Sequence, residues 1–124
     1  MQKMITAGSA LAAIALVAAA IAAAAPQRPV SLKGTVGPGF TITLTKGGQK
    51  VRTLRAGTYR LVVADRASIH NFVLEKESGG RFERELTDES EVGTKVVTLR
   101  LTPGKWKYYC DPHESTMFGY FVVR

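Results

Sequence analysis

From Val30 onward, apolar side chains recur at alternate positions or gather in short runs, and no stretch sustains a period near 3.6 residues. Val30–Val36, Phe40–Leu44, Tyr59–Val63, Phe72–Leu74, Val96–Leu101, Trp106–Tyr109 and Tyr120–Val123 read as strands. They are rich in Val, Thr, Tyr, Phe and Leu, which suit a pleated, half-buried surface. Turn residues separate them at Gly37-Pro38-Gly39, Gly47-Gly48, Ala56-Gly57, Gly79-Gly80 and Pro103-Gly104. Such spacing predicts an all-β domain, an antiparallel sandwich or barrel. Glu83–Glu91 is the one stretch where a helical turn is expected.

The first 25 residues follow a different rule. Lys3 is the only charge before an alanine-rich apolar run that ends in small residues just ahead of Pro26. This layout predicts a secretory signal over residues 1–25, the alternative being an uncleaved anchor that keeps the chain at a membrane. Either reading places residues 26–124 outside the cytoplasm, in a periplasmic or extracellular space, as a single domain with a modest core.

Charge adds a polarity to this picture. Without Lys3 there remain 16 basic and 10 acidic residues. Residues 26–64 carry only basic charge, whereas residues 75–91 hold seven acids against Lys76, Arg81 and Arg84. A bipolar molecule orients as it approaches a charged partner. There is no Lys/Arg block and no basic stripe interleaved with aromatics, so nucleic acid is not an expected partner.

The residues able to hold a soft or borderline metal are few. Beyond the N-terminal segment they are one cysteine, Cys110, two histidines, His70 and His113, and one methionine, Met117. Three of the four lie within Cys110-Asp111-Pro112-His113-Glu114-Ser115-Thr116-Met117, a turn-prone loop between the last two strands. His70 is expected to reach them from the far side of the sandwich. Taken singly, each has an ordinary role in a core or on a surface. Together they exhaust the chain's soft ligands on one place. An unpaired thiol outside the cell is prone to oxidation unless something holds it. Two imidazoles and a thiolate with a weak axial thioether make the blue-copper electron-transfer set, so one copper ion cycling between Cu(I) and Cu(II) is the expected cofactor. A zinc hydrolase would leave Met117 without a role. A Cys110–His113 nucleophile pair lacks a third, orienting group. A metal-free sandwich and a copper-delivery protein remain the other readings, and no enzymatic activity is expected.

His70-Asn71-Phe72 and Cys110-x2-His113-x3-Met117-x-Gly119 resemble the cupredoxin family, near its plastocyanin and amicyanin branches. The resemblance implies an eight-stranded Greek-key β-sandwich. It implies His70, Cys110 and His113 as equatorial ligands and Met117 as the axial one. Asn71 would pin the two ligand-bearing segments together. Pro112, lacking an N–H, would withhold a hydrogen bond from the Cys110 sulfur. His113 would show its ring edge through an apolar patch formed by Pro38 and Phe40 with Pro112 and Phe118. Glu114 is expected to face solvent. A monomer exchanging electrons with a donor and an acceptor protein is the implied partnership.

Overall fold

The computed structural model describes residues 3–4 and 19–124, so the expected signal or anchor lies largely outside the described residues. Among the described residues no helix is long and apolar enough to cross a membrane. Ten strands and one 3-10 turn follow Val30: β1 Val30–Val36, β2 Ile42–Lys46, β3 Gln49–Lys50, β4 Thr53–Leu54, β5 Gly57–Asp65, β6 Phe72–Lys76, β7 Glu83–Thr87, β8 Gly93–Leu101, β9 Gly104–Tyr109 and β10 Phe118–Val123. They form two five-stranded sheets, ordered β3-β2-β1-β5-β8 and β4-β10-β9-β6-β7. Eight of the ten strands are five residues or longer, and β3 and β4 are two-residue additions at the sheet edges. The two-sheet all-β sandwich is the predicted class, although β1 pairs parallel with β5 and β10 with β4 where an all-antiparallel arrangement was expected.

Alternation decides which side chains meet between the sheets. Along β5, Tyr59, Leu61 and Val63 turn inward while Thr58 and Arg60 face out. Along β10, Phe121 and Val123 turn inward and Phe118, Tyr120 and Val122 face out. The first sheet lines the core with Leu32, Val36, Leu44, Leu61, Val63, Leu99 and Leu101, and the second faces it with Phe72, Leu74, Trp106, Tyr108 and Phe121.

Two further expectations are corrected. Glu83–Thr87 forms β7, paired antiparallel with β6, where a helical turn was expected within Glu83–Glu91. Leu86 and Thr87 are buried, and pairing against β6 outweighs the weak local helical signal. His70 does not come from the opposite side of the sandwich either. It directly precedes β6, which pairs with β9, the strand that ends at Cys110. Periodicity identifies a strand and its faces but not its neighbours, and here the two ligand-bearing strands are neighbours.

Candidate metal centre

The site grows from the end of β9. Cys110 leaves the strand in an extended conformation (φ −98°, ψ 118°), and a 3-10 turn over Asp111–His113, with Pro112 in its first turn, reverses the chain. Proline suits this place because its missing N–H would have no partner in a first turn and its φ is preset. Backbone hydrogen bonds then close the loop. The His113 N–H donates to the Cys110 carbonyl at 3.1 Å, the Met117 N–H to the His113 carbonyl at 2.8 Å, and the Cys110 N–H to the Met117 carbonyl at 3.0 Å. Residues three and seven positions beyond Cys110 are thereby brought back beside it.

His70 meets this loop from the neighbouring strand. Its Nδ1 lies 3.6 Å from Cys110 Sγ and 3.1 Å from His113 Nδ1, and His113 Nδ1 lies 3.5 Å from Cys110 Sγ. A point equidistant from these three atoms is about 2.0 Å from each, the length of a bond from an imidazole nitrogen to a transition metal. The other nitrogen of His70, Nε2, lies 3.0 Å from the Gly39 carbonyl. A carbonyl only accepts, so Nε2 carries the proton and Nδ1 presents a lone pair to the centre. Cys110 and His70 are wholly buried, Met117 is buried with them, and His113 is partly exposed.

Several neighbours hold this geometry. Asn71 Oδ1 accepts a 2.7 Å hydrogen bond from the Asp111 N–H, joining the residue after His70 to the residue after Cys110. That is the tie the resemblance implied. Gly37 sits with φ +73°, and a Cβ there would stand 3.2 Å from the His70 ring and 3.1 Å from Ala67 Cβ, so the close approach suits glycine. Burial pushes the Cys110 thiol above its ordinary pKa, while the backbone N–H groups of Asn71 and His113 pull the other way. A metal cation would overcome the burial effect and hold the sulfur as thiolate.

The remaining candidates fall into two groups. Phe40, 61% exposed, stands edge-on to both imidazoles, with centroids 5.4 Å from His70 and 4.9 Å from His113, and Pro38 and Pro112 are exposed. Phe118 does not join them through any ring contact with Phe40 or the histidines. It lies on the outer face of the second sheet, with Tyr120 at 5.7 Å and Lys107 Nζ 5.6 Å from its ring. Glu114 is tied away from the centre by Lys107 Nζ at 2.6 Å. Trp106, Tyr108 and Tyr109 are buried. The structure adds the Gly39 carbonyl as the orienting partner of His70. No local pattern announces that contact, because it spans 31 positions of sequence.

Two adjoining sheets with two imidazoles, a thiol and a buried thioether gathered at one end define a cupredoxin-type metalloprotein, and the donor set fits a single type 1 copper ion. The chain belongs to the copper binding proteins of the plastocyanin/azurin family, whose model matches residues 40–124. Among solved structures it is similar to the copper protein rusticyanin, at 19% identity, covering 80% of each chain, with a TM-score of 0.57. A second structure, rusticyanin from Thiobacillus ferrooxidans, shares 20% identity over 80% of this chain and 79% of that one, with a TM-score of 0.51. Auracyanin A, a "blue" copper protein from the green thermophilic photosynthetic bacterium Chloroflexus aurantiacus, shares 20% identity over 78% of this chain and all of that one, with a TM-score of 0.53. At these identities the likeness is one of fold. No curated protein sequence matches significantly.

Proposed function

We propose that this protein is an exported carrier of single electrons between a donor protein and an acceptor protein. The observation that carries the proposal is the donor triangle, closed to solvent at Cys110 and His70 and open only at His113. A bound copper supplies the Cu(I)/Cu(II) couple. The chain contributes stiffness and access. Backbone bonds close the Cys110–Met117 loop on itself, Asn71 ties it to the His70 segment, and Gly39 fixes the His70 ring, so the donors have little room to rearrange when charge changes. His113, framed by Phe40 with Pro38 and Pro112 exposed nearby, is the edge at which a partner would dock. An apolar contact there admits close approach without fixing one orientation, as transient exchange requires. Export is supported by the alanine-rich apolar run that ends in small residues ahead of Pro26.

The test is to add Cu(II) to the full chain and record visible absorption and EPR through a cycle of reduction and reoxidation. An intense blue band with narrow copper hyperfine splitting, lost on reduction, restored on reoxidation and missing in Cys110→Ala, is expected. Copper uptake without that band would assign the protein to copper delivery. No uptake would leave a metal-free sandwich.

A further inference from the structure

The chain's charge is sorted along the strands. β1 and β5 run parallel, β2 runs antiparallel to β1, and β8 antiparallel to β5. The start of β1, the β2–β3 turn, the start of β5 and the end of β8 therefore lie at one end of the first sheet. β1 leaves that end and passes into the loop of residues 37–40 over the metal donors, so the end in question is the one opposite the copper site. The second sheet agrees. Arg124, which follows β10, donates its N–H to the Leu54 carbonyl at 2.9 Å and accepts the Ala56 N–H at 2.7 Å, just ahead of β5.

Exposed cations gather there. Lys46 and Lys50 flank the β2–β3 turn, Arg55 precedes β5, Arg100 lies near the end of β8 opposite Thr58, and Arg28 stands two residues ahead of β1. None of these five takes part in an ion pair among the described residues, whose ion pairs are Lys95–Glu91 and Lys107–Glu114. The acids that reach this end, Glu75, Glu77 and Glu83, belong to β6, β7 and the turn between them in the second sheet. Asp65, Asp88, Glu91, Asp111 and Glu114 lie towards the copper end, at the close of β5, in the β7–β8 connection and in the ligand loop. Cations held apart from acids keep the field that surface pairing would cancel.

We propose that this end of the sandwich docks on a bilayer of anionic phospholipid, with Arg28, Lys46, Lys50, Arg55 and Arg100 among the headgroups and the copper end pointing away from the surface. Charge complementarity calls for an anion, and the N-terminal chain selects lipid among anions. The uncharged, alanine-rich run up to Ala25 is separated from β1 only by residues 26–29, which reach at most about 14 Å. A run held in a bilayer brings the basic end, and no other, to the headgroups. Each Lys or Arg near an anionic leaflet strengthens binding roughly fivefold. The seven residues of β1 span about 23 Å, so the His113 edge stands clear of the membrane. This placement does not rest on the electron-carrier reading, since it follows from charge and topology and would serve a copper-delivery protein as well.

The experiment is sedimentation of the copper-loaded full chain with vesicles at limiting lipid in roughly 0.1 M KCl, which screens loose long-range attraction. Vesicles of pure phosphatidylcholine are compared with vesicles that also contain phosphatidylglycerol. The apolar run contributes alike to both, so it cancels in the ratio of the two partition coefficients. A ratio of at least about tenfold in favour of the anionic vesicles is expected. Lys46→Glu with Lys50→Glu should lower that ratio at least about fivefold. Arg66→Glu with Lys95→Glu, the same change of net charge made towards the copper end, should leave it within about twofold of the wild type. All four positions are exposed, so the fold is not at stake. Equal partition of the wild type overturns the proposal, and binding to soluble polyglutamate would then assign the basic end to an acidic protein. Equal effects of the two pairs of substitutions overturn it as well, because the basic end would then carry no share of its own.

Discussion

The two sheets share one core but line it differently. The first sheet offers mainly aliphatic side chains, Leu32, Val36, Leu44, Leu61, Val63, Leu99 and Leu101, and the second offers aromatic rings. Phe72 stacks on Tyr108 at 5.9 Å, Tyr108 meets Phe121 at 6.4 Å, and Phe121 stacks on Trp106 at 6.2 Å. Every metal donor comes from the ends of the aromatic sheet: His70 ahead of β6, Cys110 after β9, and His113 and Met117 on the way to β10. The aliphatic sheet sends only the Gly37–Phe40 loop, which orients one imidazole and covers the centre. Large rings have wide contact surfaces and preferred stacking geometries, so each ties more of its neighbours together than a leucine does. The metal site stands on the sheet so fixed.

The sharpest way to break this comparison is to open a hole in the core on each side. Phe72→Ala removes a wholly buried ring one residue from Asn71, and about 3–5 kcal/mol of unfolding free energy should be lost. Leu61→Ala, equally buried in the other sheet, should cost about 2–5 kcal/mol. Denaturant titration measures both. The copper spectrum separates them: Phe72→Ala should broaden or weaken the blue band and Leu61→Ala should leave it alone. Equal damage to the band from both would mean that the sheets support the site alike.

A smaller loss is expected from overpacking the same aromatic row. Gly119 pairs with Tyr108 across β9 and β10, and a Cβ there would overlap the Tyr108 ring and its hydroxyl. Gly119→Ala should destabilise by about 1–3 kcal/mol, since the ring is buried and has nowhere to retreat. A thermal melt of the copper-loaded protein reads it, and a wild-type midpoint would show the aromatic row to be loosely packed.

Cutting the tie between the two ligand segments should cost less again. Asn71→Ala leaves the Asp111 N–H without its acceptor, a loss of about 1–2 kcal/mol. The stronger effect should be on the metal: copper is expected to leave faster to a competing chelator, because the His70 and Cys110 segments are then joined only by their strands. Release at the wild-type rate would remove Asn71 from the site's support.

These expectations show how the sequence could be read and where reading stopped. Alternation and short apolar runs located every long strand but β7, and the soft ligands, being so few, identified the centre without any knowledge of contacts. Which strands lie side by side was not legible: nothing local in His70-Asn71-Phe72 says that β6 pairs with β9. β7 was hidden for a related reason, since its charged positions face solvent and its strand character comes from β6. Phe118 was grouped with Phe40 because the resemblance implied an apolar patch around His113, yet β10 turns Phe118 onto the outer face of its sheet.

The smallest effect tests where the site ends. Glu114 follows a ligand, and an oxygen there could compete for the metal, but Lys107 on β9 holds it 2.6 Å away in a pair whose carboxylate side is 47% exposed. Such a pair contributes little, and Glu114→Gln should lose no more than about 0.5–1 kcal/mol. The hydrogen bond that Lys107 donates to Glu114 raises the Lys107 pKa above its ordinary 10.5, although burial opposes it. A raised lysine pKa stabilises the fold fully below the unfolded value. That contribution fades as the pH climbs through the higher folded one. The difference in unfolding free energy between wild type and Glu114→Gln should therefore hold steady at neutral pH and shrink in strong alkali, while the blue band stays unchanged in the variant at neutral pH. A shifted or missing band would place Glu114 among the donors, and the loop between β9 and β10 would then set the metal's surroundings more than the aromatic sheet beneath it.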